Sequence, residues 1–172
     1  RGWAPLIALQ IEYSLLQRTV EAELIPMARE MGMGVTPWSP LKGGVLSGKY
    51  TRANAQTAEP GRGDWVKKNF NDKAFTVIDA LIRVAKECGP KVTPAQVALA
   101  WVQSRPGVTS SIIGARTIEQ LNDNLAALDV TLDDEQVAIL DEASAVAMPF
   151  PHDFLKGTVD NTQGGTTING RP

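Results

Sequence analysis

Gly34-Val35-Thr36-Pro37-Trp38-Ser39-Pro40-Leu41-Lys42-Gly43-Gly44-Val45-Leu46-Ser47-Gly48-Lys49-Tyr50 is the stretch on which the reading of the fold turns. Its first five residues suit a strand. The rest is a loop with three glycines, so it can place backbone N–H groups against a small anion. Upstream, Pro5 to Gln10 is a short apolar run, the pattern of a strand buried on both faces, and Ile11-Glu12-Tyr13 extends it toward a more polar end. Between the two, Val20 to Met31 reads as a helix with Leu24, Ile25, Met27 and Ala28 on one side. Pro26 must then sit in its first turn or mark a kink, and Gly32 ends it.

Downstream, residues 51–66 lack periodicity and read as a long surface excursion. Asp72 to Cys88 has helical spacing, with Phe75, Ile78, Leu81, Ile82 and Ala85 on one face, closed by Gly89-Pro90. Thr93-Pro94-Ala95-Gln96 combines an N-cap, a proline in the first turn and a capping box, and starts a helix running to about Ser104. Val108 to Ile113 reads as a third strand. Thr117 to Gln120 reads as a second capping box opening a helix to about Leu128. Asp133 or Thr131 caps a last helix to Ala145, and 148–172 is an irregular tail. Strands alternating with helices predict parallel βαβ units. Three strands are too few to close such a sheet, so the expectation is part of a larger α/β fold. It divides into residues 1–128, which carry the ligand loops, and residues 129–172, a C-terminal helix and tail.

Composition narrows the function classes. The 172 residues carry a formal charge of −2, with 43% hydrophobic and 21% charged residues, an ordinary globular balance. No basic stripe with interleaved aromatics marks a nucleic-acid surface, and no apolar run is long enough for a membrane helix. The single Cys88 excludes an internal disulfide and any CxxC metal site. The charge is uneven: 1–128 is net +4 and 129–160 net −7. That division reads either as an acidic solvated helix or as a body that holds a small anion. The chain opens on Arg1-Gly2-Trp3, without a start Met or a signal-peptide pattern, and is expected to begin inside something longer.

Two loops carry the chemistry, each following a strand. In the first, Gly43, Gly44 and Gly48 permit close approach to a phosphate and Lys49 adds a point charge; the bland alternative is a glycine turn with a solvated lysine. The second is Ile113-Gly114-Ala115-Arg116-Thr117, followed by Gln120, Asp123 and Asn124. A helix N-terminus there offers free N–H groups and Arg116 a guanidinium for a phosphate, while Gln120 and Asn124 share a face. Equally, Gln120 could only complete a cap, with Asp123 and Asn124 solvated.

With these motifs in view, the sequence resembles the aldo-keto reductase family. The resemblance rests on GlnIleGluTyrSerLeuLeu at 10–16, the Trp38–Tyr50 loop, ThrProAlaGlnValAlaLeuAlaTrp at 93–101, and IleIleGlyAlaArg with the following GlnLeu and Asn at 112–124. It covers nearly the whole chain but only the C-terminal part of the family. It implies an incomplete (β/α)8 TIM barrel containing strands six to eight, an NADP(H) cofactor, and reduction of an aldehyde or ketone. By resemblance, Gln10 bonds the nicotinamide carboxamide and Trp38 stacks on its ring, unless Trp38 is simply core. Ser39, Pro40, Leu41 and Gly43 line the pyrophosphate with Lys49 nearby. Gly114, Arg116, Gln120, Asp123 and Asn124 hold the adenosine end, with Arg116 at the 2′-phosphate, and Arg62 folds over the cofactor.

The family's catalytic Asp, Tyr, Lys and His belong to a region with no counterpart here. His152 is the single histidine, and Tyr13 and Tyr50 lie in the cofactor-half motifs. No catalytic residue and no metal ligand is assigned, and the chain alone is expected to be inactive. The alternative is a cofactor-binding regulatory or structural subunit. The expected partners are a small carbonyl substrate in the complete barrel, with no nucleic acid and no membrane. Self-association or a missing N-terminal part would cover the open sheet edges. The expected compartment is cytoplasmic.

Overall fold

The computed structural model describes residues 2–55, 57 and 64–155. Two parallel strands, β1 (Ala8–Glu12) and β2 (Gly34–Trp38), pair in register from Ala8 opposite Gly34 to Glu12 opposite Trp38. The third segment runs parallel on the far side of β2 but forms only two bridges, Val35 with Val108 and Trp38 with Ile112. Three steps along β2 therefore match four along this segment, which is a one-residue bulge. The polar pair Ser110-Ser111 falls between the bridges. Gln103 serves this stretch: its Oε1 accepts from the Ser111 N–H (3.3 Å) and hydroxyl, and its Nε2 donates to Thr109 O. The expected strand 108–113 is thus a bulged segment whose backbone is partly satisfied by a side chain.

Successive side chains of a strand point to opposite faces. Here Ile11, Val35 and Pro37 are buried on one face, whereas Ala8, Gln10 and Trp38 are exposed on the other. The first strand, expected to be buried on both faces, is covered on one only, and Leu6 and Ile7 before it are exposed. The covered face joins a core with Ile25 and Ala28 of α1 (Leu24–Glu30), Val77, Ile78, Leu81 and Val84 of α3 (Asp72–Cys88), and Leu140 of α6 (Asp134–Ser144). The same core takes Val97, Ala98, Trp101 and Val102 of α4 (Pro94–Gln103).

Pro26 explains the first helical segment. A proline has no N–H to give to the carbonyl four residues back and clashes with it. The expected helix 20–31 is accordingly split into a 3₁₀ turn at Thr19–Glu21 and α1, with Pro26 in the first turn of α1. Of the expected apolar side, Ile25 and Ala28 are buried while Leu24 and Met27 are exposed. Helix α3 keeps its expected bounds, and its Asn71 N-cap accepts from the Ala74 N–H. Helix α4 has the complete capping box of Thr93 and Gln96, and α6 that of Asp133 and Gln136.

The excursion from residue 51 is tied down at its described ends. Arg52 bonds Asp72 (3.0 Å) and Asp79 (3.3 Å) of α3, and Val66 of the short helix α2 (Asp64–Lys67) is fully buried. Arg62 lies outside the described residues. Helix α5 (Ile118–Leu125) gives way to a 3₁₀ turn at Ala126–Asp129. The acidic α6 packs on α3 and is clipped to the body through Asp141. This carboxylate meets Arg18 (3.0 Å), Arg105 (3.2 Å) and the Trp101 indole N–H (3.1 Å). Both guanidiniums lie over the ring of the fully buried Trp101, at 5.0 and 4.7 Å. Of the tail, His152–Leu155 forms one helical turn, with His152 Nε2 3.0 Å from Glu23 Oε1; residues 156–172 lie outside the described residues. Among the described residues no helix is long and apolar enough to cross a membrane.

Candidate functional site

Both chemistry-bearing loops leave the same end of the sheet. β2 ends at Trp38 and the bulged segment ends at Ile112, its bridge partner, so whatever follows each is placed side by side. Between them lies a cleft of about 830 Å³, within the range of small-molecule and cofactor sites. Trp38, Ser39, Pro40, Leu41, Gly43 and Lys49 line it from the first loop, and Gly114, Arg116, Gln120, Asp123 and Asn124 from the second. Gln10 stands apart, exposed on the open sheet face opposite Thr36.

The first loop turns sharply. Ser39 and Lys42 have φ of 55° and 48°, and Gly43 and Gly44 follow at 64° and 96°. Four residues of positive φ within six positions reverse the chain directly after the strand. Lys42 Nζ is 2.5 Å from Glu12 Oε1, an ion pair that ties the loop to β1. The Gly44 N–H donates to Leu41 O (2.9 Å) inside the loop. Lys49 lies with Nζ 4.8 Å from the Tyr50 ring centroid, beside Gly44. Gly48, expected at a phosphate, has another reason to be glycine. Its φ is 80°, and a Cβ there would come within 2.5 Å of Pro94 Cγ, so the loop seats directly on the first turn of α4.

The second loop ends at the Thr117 N-cap, whose hydroxyl oxygen accepts from the Gln120 N–H (3.2 Å). The Gln120 side chain does not return to the Thr117 N–H, as the capping-box reading expected. It reaches one residue further and accepts from the Arg116 N–H (2.9 Å), which sets the backbone direction at Arg116. Glu119 in this first turn is held below the usual carboxylate range by its own backbone N–H and by the Thr117 hydroxyl. Asp123 is half-buried and engaged rather than simply solvated. It accepts from Gln96 Nε2 (2.7 Å) and from the Thr93 hydroxyl (3.2 Å), the capping pair of α4. Asn124 beside it is buried at 8% exposure.

Trp38 is 40% exposed against the cleft, and the core tryptophan is Trp101. Ala95, Ile112 and Ile113 also line the cleft and were not singled out from sequence. Ala95 belongs to the capping motif of α4, which carries no local signal for a cleft, and the two isoleucines read only as strand. Neither Tyr13, Tyr50 nor His152 lines the cleft. Burial holds the Tyr13 phenol well above the usual tyrosine range, helped by its hydrogen bond to Glu21 (2.7 Å).

The family model for the aldo/keto reductases matches residues 1–145. The chain belongs to the aldo/keto reductase family. Members generally use NAD(P)H. The chain is 42% identical over 142 residues to the Uncharacterized oxidoreductase YrpG of Bacillus subtilis, covering 83% of this chain and 41% of that protein. It is 38% identical over 129 residues to a probable voltage-gated potassium channel subunit beta of Oryza sativa, covering 72% and 39%. It is also 31% identical over 155 residues to a putative aryl-alcohol dehydrogenase of Saccharomyces cerevisiae, covering 90% and 54%. The chain thus spans about half the length, or less, of these curated relatives.

Set against the cofactor the family implies, the cleft offers a matching donor set. A reversed glycine loop and Lys49 stand on one wall. On the other are a capped helix N-terminus, Arg116, and a Gly114 whose Cα faces open space. These are groups suited to phosphates at one end and a planar polar base at the other.

Proposed function

We propose that this chain is the NADP(H)-binding portion of an aldo-keto reductase, comprising the last three strand positions of a (β/α)8 barrel. The observation that carries the reading is the single cleft joining two loops that lie some seventy residues apart. Trp38 and Gln10 belong to the open face of the sheet, which suits them to hold a nicotinamide against the barrel interior. Ser39, Pro40, Leu41, Gly43 and Lys49 take the pyrophosphate. Gly114, Gln120 and Asn124 take the adenosine, and Arg116 the 2′-phosphate that distinguishes NADP from NAD. Asp123 serves by holding the wall. The bound cofactor supplies a hydride for an aldehyde or ketone. Reduction also requires a general acid beside the carbonyl oxygen. Tyr13 donates to Glu21 in a buried network, Tyr50 lies outside the cleft lining, and His152 is paired with Glu23. We assign no acid in this chain and expect it to be inactive by itself. The carbonyl substrate, a cytoplasmic location and self-association across the open sheet edges are part of the same proposal.

Calorimetric titration with NADP⁺ and NAD⁺ tests the binding, and tighter NADP⁺ is expected. NADPH oxidation with a reactive aldehyde tests the division of labour. The purified chain should show no turnover, and the chain joined to the N-terminal half of a relative should show it. Turnover at about 1 s⁻¹ or more by the chain alone, an ordinary enzyme rate, would overturn the claim of inactivity. Absence of nicotinamide binding by the joined protein would overturn the cofactor reading. The 38% identity to a probable potassium channel subunit beta favours a second reading, a cofactor-binding subunit without catalysis. Cofactor binding by the joined protein without turnover on any aldehyde would support it.

A further inference from the structure

The two walls of the cleft do not touch the sheet alone; both rest on the first turn of α4. On one side Gly48 packs so closely on Pro94 that a Cβ would lie 2.5 Å from Cγ, 2.9 Å from Cβ and 3.2 Å from Cδ of the ring. On the other side the Asp123 carboxylate of α5 accepts from Gln96 Nε2 at 2.7 Å and from the Thr93 hydroxyl at 3.2 Å. Between them Ala95 of the same turn lines the cleft floor. The turn is itself rigid. Pro94 fixes one φ, Thr93 accepts from the Gln96 N–H at 3.2 Å, and Gln96 accepts from the Thr93 N–H at 3.2 Å.

The Gln96 amide is the pivot of this arrangement. Its oxygen closes the cap of α4 while its nitrogen holds α5, so one 7%-exposed side chain completes one helix and positions another. An amide has both an acceptor and donors, and glutamate at this position would lose the second bond and set two carboxylates together.

From these contacts we infer that Thr93, Gln96 and Asp123 are positioning residues that set the separation of the cleft's walls through the α4 capping turn. Thr93 and Gln96 lie outside the cleft lining, and Asp123 lines it while its carboxylate is turned to Thr93 and Gln96. That the held ligand is a dinucleotide rests on the reading above; the coupling of the walls does not.

The test is hydrogen exchange on the ligand-free chain, read on peptides covering 42–48 and 118–125. Thr93→Ala should speed exchange in both walls by about fivefold, the equivalent of losing an N-cap. Asp123→Ala should speed only the α5 wall. Thr93→Ser and Asp123→Asn, which keep a hydroxyl acceptor and a carbonyl acceptor, should stay within about twofold of the parent. If Thr93→Ala alters only the amides of α4, or only one wall, the coupling is wrong. A second arm measures affinity for adenosine 2′,5′-bisphosphate in the protein joined to a relative's N-terminal half. Asp123→Ala should weaken it and Asp123→Asn should largely retain it. Failure of the parent to bind the bisphosphate would remove the dinucleotide reading while the exchange result still decides the coupling.

Discussion

Arg116 follows the second glycine-bearing loop and precedes the Thr117 cap, so a guanidinium stands at the rim of the cleft where a helix begins. A charge-assisted hydrogen bond contributes on the order of 1.5–3 kcal/mol. Arg116→Ala is therefore expected to weaken NADP⁺ by more than about tenfold and NAD⁺ by little, as read by calorimetry on the joined protein. Equal losses would remove Arg116 from the 2′-phosphate. Tyr13 makes a different kind of statement. Its phenol is buried and donates to Glu21, and its folded pKa is raised above the ordinary value of about 10. The stabilisation is present below that value and is lost as pH rises through and beyond it, because the unfolded phenol ionises first. Thermal melts at pH 9 and 11 should show a larger drop in Tm for the parent than for Tyr13→Phe; parallel slopes would refute it. Tyr13 could not be placed this way from sequence, where it was only part of a motif. Its partner Glu21 is eight residues on, in the 3₁₀ turn Thr19–Glu21, outside any local periodic pattern.

At the scale of elements, the clip on α6 is the feature with the clearest energetic consequence. Asp141 neutralises Arg18 and Arg105, whose side chains are 12% and 17% exposed, while both guanidiniums stack on Trp101. Removing the carboxylate leaves Arg105 without its ion pair and Arg18 with Glu21 alone (2.8 Å), the two cations sharing one ring. A fully buried pair broken in this way costs about 3–5 kcal/mol. Asp141 is 34% exposed, so Asp141→Ala is expected to cost less, about 2 kcal/mol, by urea unfolding. A loss below about 0.5 kcal/mol would mean that α6 is held by Leu140 and its packing on α3 alone. Helices α3, α4 and α6 were legible in the sequence because caps and a 3.6-residue period are local signals. The bulge at Ser110-Ser111 was not. It depends on Gln103, a side chain that sequence reading had no reason to join to that backbone.

For the whole molecule, the sheet is the decisive feature. Helices cover one face, and the other exposes Gln10 and Trp38; among the described residues neither outer segment has a further strand neighbour. Unpaired strand edges recruit other strands. The isolated chain is therefore expected to sediment as a species larger than one copy at micromolar concentration, and to become monomeric when joined to the N-terminal half of a relative. A monomer with a single cooperative melt would show that the open face is tolerated by solvation.

Composition, caps and the spacing of glycines determined by themselves that this is an α/β chain with parallel strands and a glycine-bearing loop after each of two of them. They also carried the resemblance to the aldo-keto reductases that the family match on residues 1–145 bears out. These signals are local, since a cap, a turn or a periodic face is written within a few residues. What the tertiary structure decided is which side chains serve the site and which build it. Gly48 proved to be a seat for Pro94, Asp123 a tether to Gln96, and Trp38 a cleft wall while Trp101 fills the core. Such assignments depend on contacts between residues tens of positions apart. Those pairings exist only once the chain has packed and each polar group has had to find a partner.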